Sequence, residues 1–403
     1  MAAWESVKAN KGTYGVDLES IEDFESKLGK NLYKLWNRMS SGSYFPQPVK
    51  GIEIPKKDGS KKKRLLSIPT VTDRVAQAVV KAHLEPIVEP IFHEDSYGYR
   101  PGKSALDAVG KARERCWRSN WCIDLDIKSF FDTVDHELVM KAVRFHTKEK
   151  WIHLYIERWL KAPIQKEDGT LIERKAGIPQ GGVISPLLSN LFMHYVFDVW
   201  MQRQFPEEKF ERYVDDGLVH CKTKDRAETV LKAIRGRLQA CGLELHTDKT
   251  KIVYCKDVNR RGSHEHEKFD FLGYTFRPRQ SKNWQGKKFV NFAPAISQKS
   301  ATRIKHEIRS WKLHLRSNKN IGELARKHNA IIQGWVNYYG RYYKSAMYPH
   351  LRNIEQSLIK WVMRKYKRYQ RHQQRARKWL GRIRKREPNL FVHWRLGLGS
   401  PIG

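Results

Sequence analysis

"FERYVDDGLVH", residues 210–220, sets two aspartates side by side between an apolar run and a tail with strand character. Adjacent carboxylates repel, so Asp215 and Asp216 need either open solvent or a positive partner. A solvated Asp-Asp-Gly turn at a hairpin tip meets the first need, and a bound cation meets the second. The neighbourhood decides between them. Upstream, "WCIDLDI" (121–127) is an apolar strand interrupted by Asp124 and Asp126. Between it and the pair come helices near 135–146 and over 150–162, a hairpin over 163–178, and a long helix after the "GIPQGG" turn. Downstream follow a helix at about 225–240, strand-like "KIVYC" and then "FDFLGYTFRP". This βαββαβ-like order predicts an α+β fold, a sheet with helices on one face.

Three acids at adjacent strand ends, Asp126, Asp215 and Asp216, can converge on one point. Alone they would raise each other's pKa. Mg²⁺ takes hard oxygen ligands, usually one or two carboxylates plus water and substrate phosphate. Two such ions about 4 Å apart clamp the attacking and leaving oxygens of a phosphoryl transfer. The residues therefore predict a two-metal nucleotidyl transferase.

Composition points the same way. The chain carries 77 Lys and Arg against 43 acids, a formal charge of +34. An excess this large repels itself unless a polyanion neutralises it, so nucleic acid is the expected partner. At 403 residues the chain is too long for one core, and two to four domains are expected. No apolar run reaches the ~18–20 residues of a membrane span. The start, "MAAWESVKANKG", has no apolar segment of a secretory signal. Cys116, Cys122, Cys221, Cys241 and Cys255 lack CxxC spacing. That argues against a disulfide framework and a zinc module, and predicts a cytoplasmic protein.

Residues 1–45 read as short amphipathic helices, and 46–70 as a hairpin whose tip carries Lys56, Lys57, Lys61, Lys62, Lys63 and Arg64. A helix follows from about Asp73. From about 296 the chain turns into Arg- and Lys-rich helices.

Nine segments fall in one order over most of the chain. They are "KANKGTYGVD" (8–17), "IPKKDGSKKKRLLSIPTVTDRVAQ" (54–77), "SYGYRPGKSALDA" (96–108), "DLDIKSFFDTVDH" (124–136), "GIPQGGVISPLLSNL" (177–191), "RYVDDGL" (212–218), "GLELHTDKTKIVY" (242–254), "FDFLGYTF" (269–276) and "GWVNYYGRYY" (334–343). Together they resemble the bacterial group II intron-encoded reverse transcriptase/maturases. The resemblance implies a right-hand polymerase followed by an α-helical thumb. Its parts would be an N-terminal extension (1–45), fingers (46–122), a palm (123–290, with finger elements at about 145–178), a thumb or maturase domain (296–375) and a basic tail (376–403) that is a possible DNA-binding element.

The resemblance also implies roles. Asp126, Asp215 and Asp216 would be catalytic metal ligands, with the Ile127 carbonyl completing one coordination sphere; the ions would be Mg²⁺, replaceable by Mn²⁺. Asp124 shares the face of Asp126 by strand period but is secondary. Asp132 and Asp135 cap the next helix. Phe131 would wall off a ribose 2′-hydroxyl and select dNTPs, with Phe130 or Phe131 facing the core. Gln180 would line the nucleotide pocket, and Gly181 and Gly182 would let backbone approach a ligand. Arg64, with Lys56, would reach the triphosphate, whereas Lys57, Lys61, Lys62 and Lys63 read as solvated. Arg100 would contact template or organise the fingers. Lys249 is either a proton donor to the leaving pyrophosphate or a structural salt bridge. Phe271, Leu272, Gly273 and Tyr274 would grip the primer end. Val214 is expected to face the primer–nucleotide region.

"HEHEK" at 264–268 looks like a metal cluster but reads as a solvated loop. From Gln356 to Arg386 there is no acid and there are 13 Lys and Arg, interleaved with Trp361, Tyr366, Tyr369 and Trp379, which read mainly as core. No His/Cys/Asn cluster follows, so an HNH-type endonuclease domain is not expected. The implied activity is RNA-directed DNA polymerisation, with maturase assistance to splicing and retrohoming by target-primed reverse transcription. The implied partners are group II intron RNA, an RNA template with its DNA primer, target DNA and dNTPs. A host-adapted relative in DNA repair, phage defence or CRISPR adaptation, or an RNA-binding splicing factor, would have nearly the same sequence. Oligomeric state is left open.

Overall fold

The computed structural model describes residues 1–55 and 63–397 of the chain. Three helices open it: α1 (Ala2–Asn10), α2 (Ile21–Ser26) and α3 (Leu28–Ser40). Ser20 and Asp23 close a capping box that starts α2. β1 (Val49–Pro55) and β2 (Lys63–Ile68) form the expected hairpin, paired from Lys50 opposite Ile68 to Pro55 opposite Lys63. Its tip, with Lys56, Lys57, Lys61 and Lys62, lies outside the described residues.

α4 (Val71–Val88) starts at Thr70, whose hydroxyl accepts from the Asp73 N–H. α5 (Ala105–Arg118) buries Ala108, Ala112 and Cys116 along one stripe. β3 (Trp121–Leu125) leads through α6 (Phe130–Thr133) to α7 (His136–His146) and α8 (Lys150–Lys161). Asp135 caps α7, whereas Asp132 lies inside α6 and caps nothing, which corrects the pairing expected for these two.

β4 (Ile164–Gln165) and β5 (Leu171–Ile172) form a short hairpin, and β4 runs parallel to β1, so the first sheet has the order β2-β1-β4-β5. α9 (Ser185–Met193) passes through a π-helical turn at His194–Asp198 into α10 (Val199–Gln204). β6 (Phe210–Tyr213), β7 (Asp216–Cys221), α11 (Lys224–Ala240) and β8 (Lys251–Tyr254) complete the central sheet, order β6-β7-β3-β8. This is the βαββαβ order read from the sequence. Successive residues of β7 from Gly217 to Cys221 are all buried, so both faces are covered, not one.

The chain divides into two compact units, 1–253 and 254–403. The second holds a sheet of β9 (Phe269–Phe271), β10 (Tyr274–Lys282) and β11 (Lys288–Ile296), then α12 (Gln298–Ser310), α13 (Ile321–Tyr339), α14 (Tyr348–Lys365) and α15 (Gln373–Arg386). The break falls well before the expected palm limit of 290, because the β9–β10 hairpin packs into the helical unit: Tyr338 Oη donates to the Leu272 carbonyl at 2.7 Å. The basic end is no loose tail. α15 buries Ala376, Leu380 and Ile383, and Trp394 is buried and bonded to Glu355. Trp361, Tyr366, Tyr369 and Trp379 form one ring cluster, Tyr366 lying 5.2 Å from Trp379, but only Trp361 is buried and the other three rings are half-exposed. In the "HEHEK" loop His264 and Glu265 are exposed and Glu267 pairs with Lys256 at 3.2 Å.

Candidate active site

Strand register brings the carboxylates together. β3 and β7 are antiparallel with Leu125 opposite Gly217, so one step further sets Asp126 opposite Asp216. β6 and β7 are joined by Val214 and Asp215, with Tyr213 paired to Asp216. The turn is thus Val-Asp rather than Asp-Asp-Gly, and Asp216 is the first residue of a strand.

Positive φ falls on Val214, at 63°, and not on Asp215. That is the pattern of a type II′ turn, whose first central position ordinarily takes Gly. A β-branched residue there is strained and persists only because its surroundings hold it. Two features do so. A Cβ built on Gly98 would sit 2.6 Å from Val214 Cγ2 and 2.8 Å from its N, so only Gly permits this approach. The Val214 side chain is buried there, which corrects the expectation that it faces primer and nucleotide.

The second feature is Arg212, fully buried. Its Nε and Nη2 donate to the two oxygens of Asp198 at 2.7 and 2.6 Å. Nη1 donates to the Val214 carbonyl at 3.0 Å and to Asn190 Oδ1 at 3.2 Å, and Nη2 also donates to Ser96 Oγ at 2.8 Å. The π-helical turn presents Asp198. Asn190 Nδ2 donates to the Gly98 carbonyl at 2.6 Å, linking both supports of the turn. Sequence reasoning quoted Arg212 inside "RYVDDGL" but gave it no role, because its partners lie on other elements.

The electrostatics are those of crowded acids. Asp216 is exposed by surface area, yet the protein packed near its carboxyl desolvates it. Desolvation first, then repulsion from Asp215 and Asp126, push its carboxyl up to about 7, with Lys249 and Arg64 offsetting part. Asp215 is also raised, chiefly by desolvation, against its own backbone N–H and Arg64. Arg64, on exposed β2, therefore acts on both carboxylates, while Lys63 is spent on Glu53 at 2.6 Å.

Asp126 is anchored through its backbone: its N–H donates to Thr250 Oγ1 at 3.3 Å and its carbonyl accepts from the His246 N–H at 2.8 Å. Lys249 Nζ lies 3.4 Å from its carboxylate, half-exposed, a geometry that serves both readings of Lys249. Ile127 bridges Leu245 through bonds made by Asp126 and Lys128, which turns its own carbonyl away from that partner. Crowded, raised carboxylates beside an outward carbonyl form a hard-oxygen donor set that fits a divalent cation. Asp124 lies in β3 opposite Leu218, apart from the end where the three acids meet.

Phe130 takes the core position and Phe131, half-exposed, meets it edge-on at 5.2 Å. Gln180 is half-exposed and its carbonyl accepts from the Ser67 N–H at 2.8 Å. Gly181, at φ 127°, would put a Cβ 2.5 Å from the Ser67 carbonyl, so its backbone packs closely against β2. The Arg100 guanidinium bonds Glu89 at 2.9 Å and the carbonyls of His93 and Ser96 at 2.6 and 2.8 Å, which organises the fingers, one of the two roles expected of it. In the second unit Phe271 and Tyr274 are buried, so the two rings belong to the core of the hairpin, and its Leu272-Gly273 turn is half-exposed.

Comparison with known proteins agrees with this arrangement. A family model described as reverse transcriptase (RNA-dependent DNA polymerase) matches residues 54–276, and one described as the group II intron maturase-specific domain matches 301–379. The chain is 31% identical to protein YkfC of Escherichia coli over 314 residues, 68% of this chain and 79% of that one. It is 32% identical to the group II intron-encoded protein LtrA of Lactococcus lactis over 254 residues, 62% of this chain and 41% of that one. It is 29% identical over 256 residues to a putative COX1/OXI3 intron 1 protein of Saccharomyces cerevisiae, 62% of this chain and 29% of that one. The matches thus span well under half of the last two relatives. No helix among the described residues is long and apolar enough to cross a membrane.

Proposed function

The chain belongs to the reverse transcriptase family and carries the maturase-specific domain of group II introns, and from that premise we propose that it copies RNA into DNA and binds the RNA of its own intron. The observation that carries the polymerase reading is the convergence of Asp126, Asp215 and Asp216 on adjoining ends of β3 and β7, beside Lys249 and Arg64. These acids and the Ile127 carbonyl would hold two Mg²⁺ ions, or Mn²⁺ in their place, which supply Lewis-acid stabilisation of the attacking and leaving oxygens. The Arg64 guanidinium suits triphosphate oxygens, and Lys56 would join it. The half-exposed Phe131 ring would exclude a 2′-hydroxyl, and Gln180 would line the sugar. Lys249 Nζ, beside Asp126, would be the proton donor to the departing pyrophosphate.

The helical unit supplies the RNA-binding surface. Arg375, Lys378, Arg382 and Lys385 are exposed on α15, opposite the apolar stripe that packs it. RNA template, DNA primer and target DNA complete the partners, and target-primed reverse transcription would return the intron to DNA.

Primer extension on an RNA template with Mg²⁺ and dNTPs tests the polymerase reading. Asp215→Asn is expected to abolish extension and leave the melting temperature at or above that of the wild type, since a crowded charge is removed. Equal extension by both proteins would sink the assignment. Splicing of the flanking intron RNA at low Mg²⁺ tests the maturase reading. Acceleration by the wild type and its loss in Lys378→Glu with Arg382→Glu is expected; no acceleration by the wild type overturns it.

A further inference from the structure

Cys122 and His220 are direct cross-strand partners on β3 and β7, so their side chains leave the same face of the sheet. Cys116 reaches that face from α5, on the stripe the helix buries. The two Sγ atoms and a ring nitrogen of His220 lie within 4.8 Å of one another. Cys116 and Cys122 are 0% exposed and His220 is 3% exposed.

The imidazole is oriented from behind. Its Nε2 shares a 2.6 Å hydrogen bond with Glu211 Oε2, and Arg115 Nη1 holds the other Glu211 oxygen at 2.7 Å. Arg115 Nη2 closes the network on Asp95 at 2.7 Å. His220 Nδ1, buried, has no hydrogen-bond partner. A carboxylate on one ring nitrogen fixes the tautomer and raises the basicity of the other, which is how metal-ligating histidines are commonly supported. With the Nε2 proton on Glu211, the Nδ1 lone pair is left without a partner in this buried cluster.

We propose that Cys116, Cys122 and His220 bind one thiophilic d¹⁰ metal ion, Zn²⁺ or Cu⁺, at a site separate from the three carboxylates. Two thiolates and a neutral imidazole are a soft donor set, which selects these ions over Mg²⁺. Ordinary Zn–S and Zn–N bonds set donors roughly 3.5–4 Å apart, so only a small closure is needed. On binding, the two thiols release their protons to solvent and two metal–sulfur bonds form; the thiolates neutralise a divalent ion, and no redox step is involved. The ion would join α5 to β3, which ends one residue before Asp126, and to β7, which begins at Asp216, and so stiffen the base of the three carboxylates. CxxC spacing does not reveal such a site because its donors come from one helix and two strands.

The test uses the full-length chain, purified without a metal-affinity tag. It is loaded with Zn²⁺ alone, or with Cu⁺ alone under anaerobic reductant, and gel-filtered before elemental analysis. One ion per chain is expected in the wild type and in Cys241→Ser. A drop of at least tenfold is expected in Cys116→Ser with Cys122→Ser. Retention of one ion and not the other identifies the occupant. Substoichiometric loading of both ions in the wild type, or equal loading in the double variant, overturns the proposal. Should the double variant fail to fold, the wild type alone decides. Co²⁺ or Cu⁺ is expected to give a thiolate-to-metal charge-transfer band, and its absence with both ions overturns the site. Neither measurement requires polymerisation, so the result is independent of the catalytic reading.

Discussion

Arg212 Nη1 donates a hydrogen bond to the carbonyl of Val214, two residues along the chain and immediately before Asp215. The rest of the guanidinium is fixed on Asp198, so a π-helical turn and a β-turn are tied through one buried side chain. The Asp215 backbone is thereby positioned by a group that never meets substrate.

Arg212→Lys keeps the charge and one contact to Asp198 but loses the fork. The carbonyl of Val214 and the oxygens of Asn190 and Ser96 would lose their donor. Turnover in primer extension is expected to fall by about 100-fold, the scale of a misplaced reacting group, with KM for dNTP nearly unchanged. Stability should fall by about 1–3 kcal/mol from the unpaired groups. A variant that loses stability but keeps its turnover would reduce Arg212 to a purely structural residue.

Gly98→Ala probes the other support. The added Cβ would meet both Val214 Cγ2 and the Val214 backbone nitrogen. Overpacking of this kind costs about 1–3 kcal/mol, and the displaced turn should slow extension. Adding Val214→Ala removes the side-chain clash but not the 2.8 Å approach to backbone. The double variant is therefore expected to stay impaired in extension assays. Full rescue would show that the valine side chain alone sets the spacing.

The carboxylates were legible because strand period and motif order both act locally. Asp126 ends an apolar strand, and the Asp pair follows another. What stayed hidden depends on pairing across the chain. β11 carries Pro294, which lacks an N–H, yet it is a strand because it lies at the sheet edge and pairs with β10 over its full length. Pro278 in β10 is tolerated because β9 pairs only as far as Phe276. Arg212 and Asp198, or Cys122 and His220, are neighbours only after register is set. No spacing rule could have joined them.

Phe131 makes sugar selection testable. Phe130 holds the core, so truncating Phe131 should spare the fold. Phe131→Ala is expected to raise rNTP incorporation relative to dNTP by at least about tenfold, since a 2′-hydroxyl no longer meets a wall; that ratio is about 1.4 kcal/mol of discrimination. Competition primer extension reads it directly. An unchanged ratio would return the ring to a packing role.

His194 gives the fold a defined acid limit. It is buried on the π-helical turn, and desolvation pushes its pKa from 6.5 down to about 4. Asp198, 3.9 Å away, opposes that shift, while Arg212, His146 and His93 reinforce it. The unfolded chain binds this proton near pH 6.5 and the folded chain does not, so the unfolded state holds more protons between the two values. Stability from this group is complete above about pH 6.5 and is lost as pH falls toward 4, by at most about 3 kcal/mol. His194→Gln cannot take up the proton. Its stability offset from the wild type is expected to be constant above pH 7 and to shrink steadily from pH 6.5 downward, measured by thermal melts at each pH. Because Asp198 also anchors Arg212, acid should slow extension in the wild type before it unfolds the protein. Parallel melting curves across this range would mean that His194 is charged in the folded state.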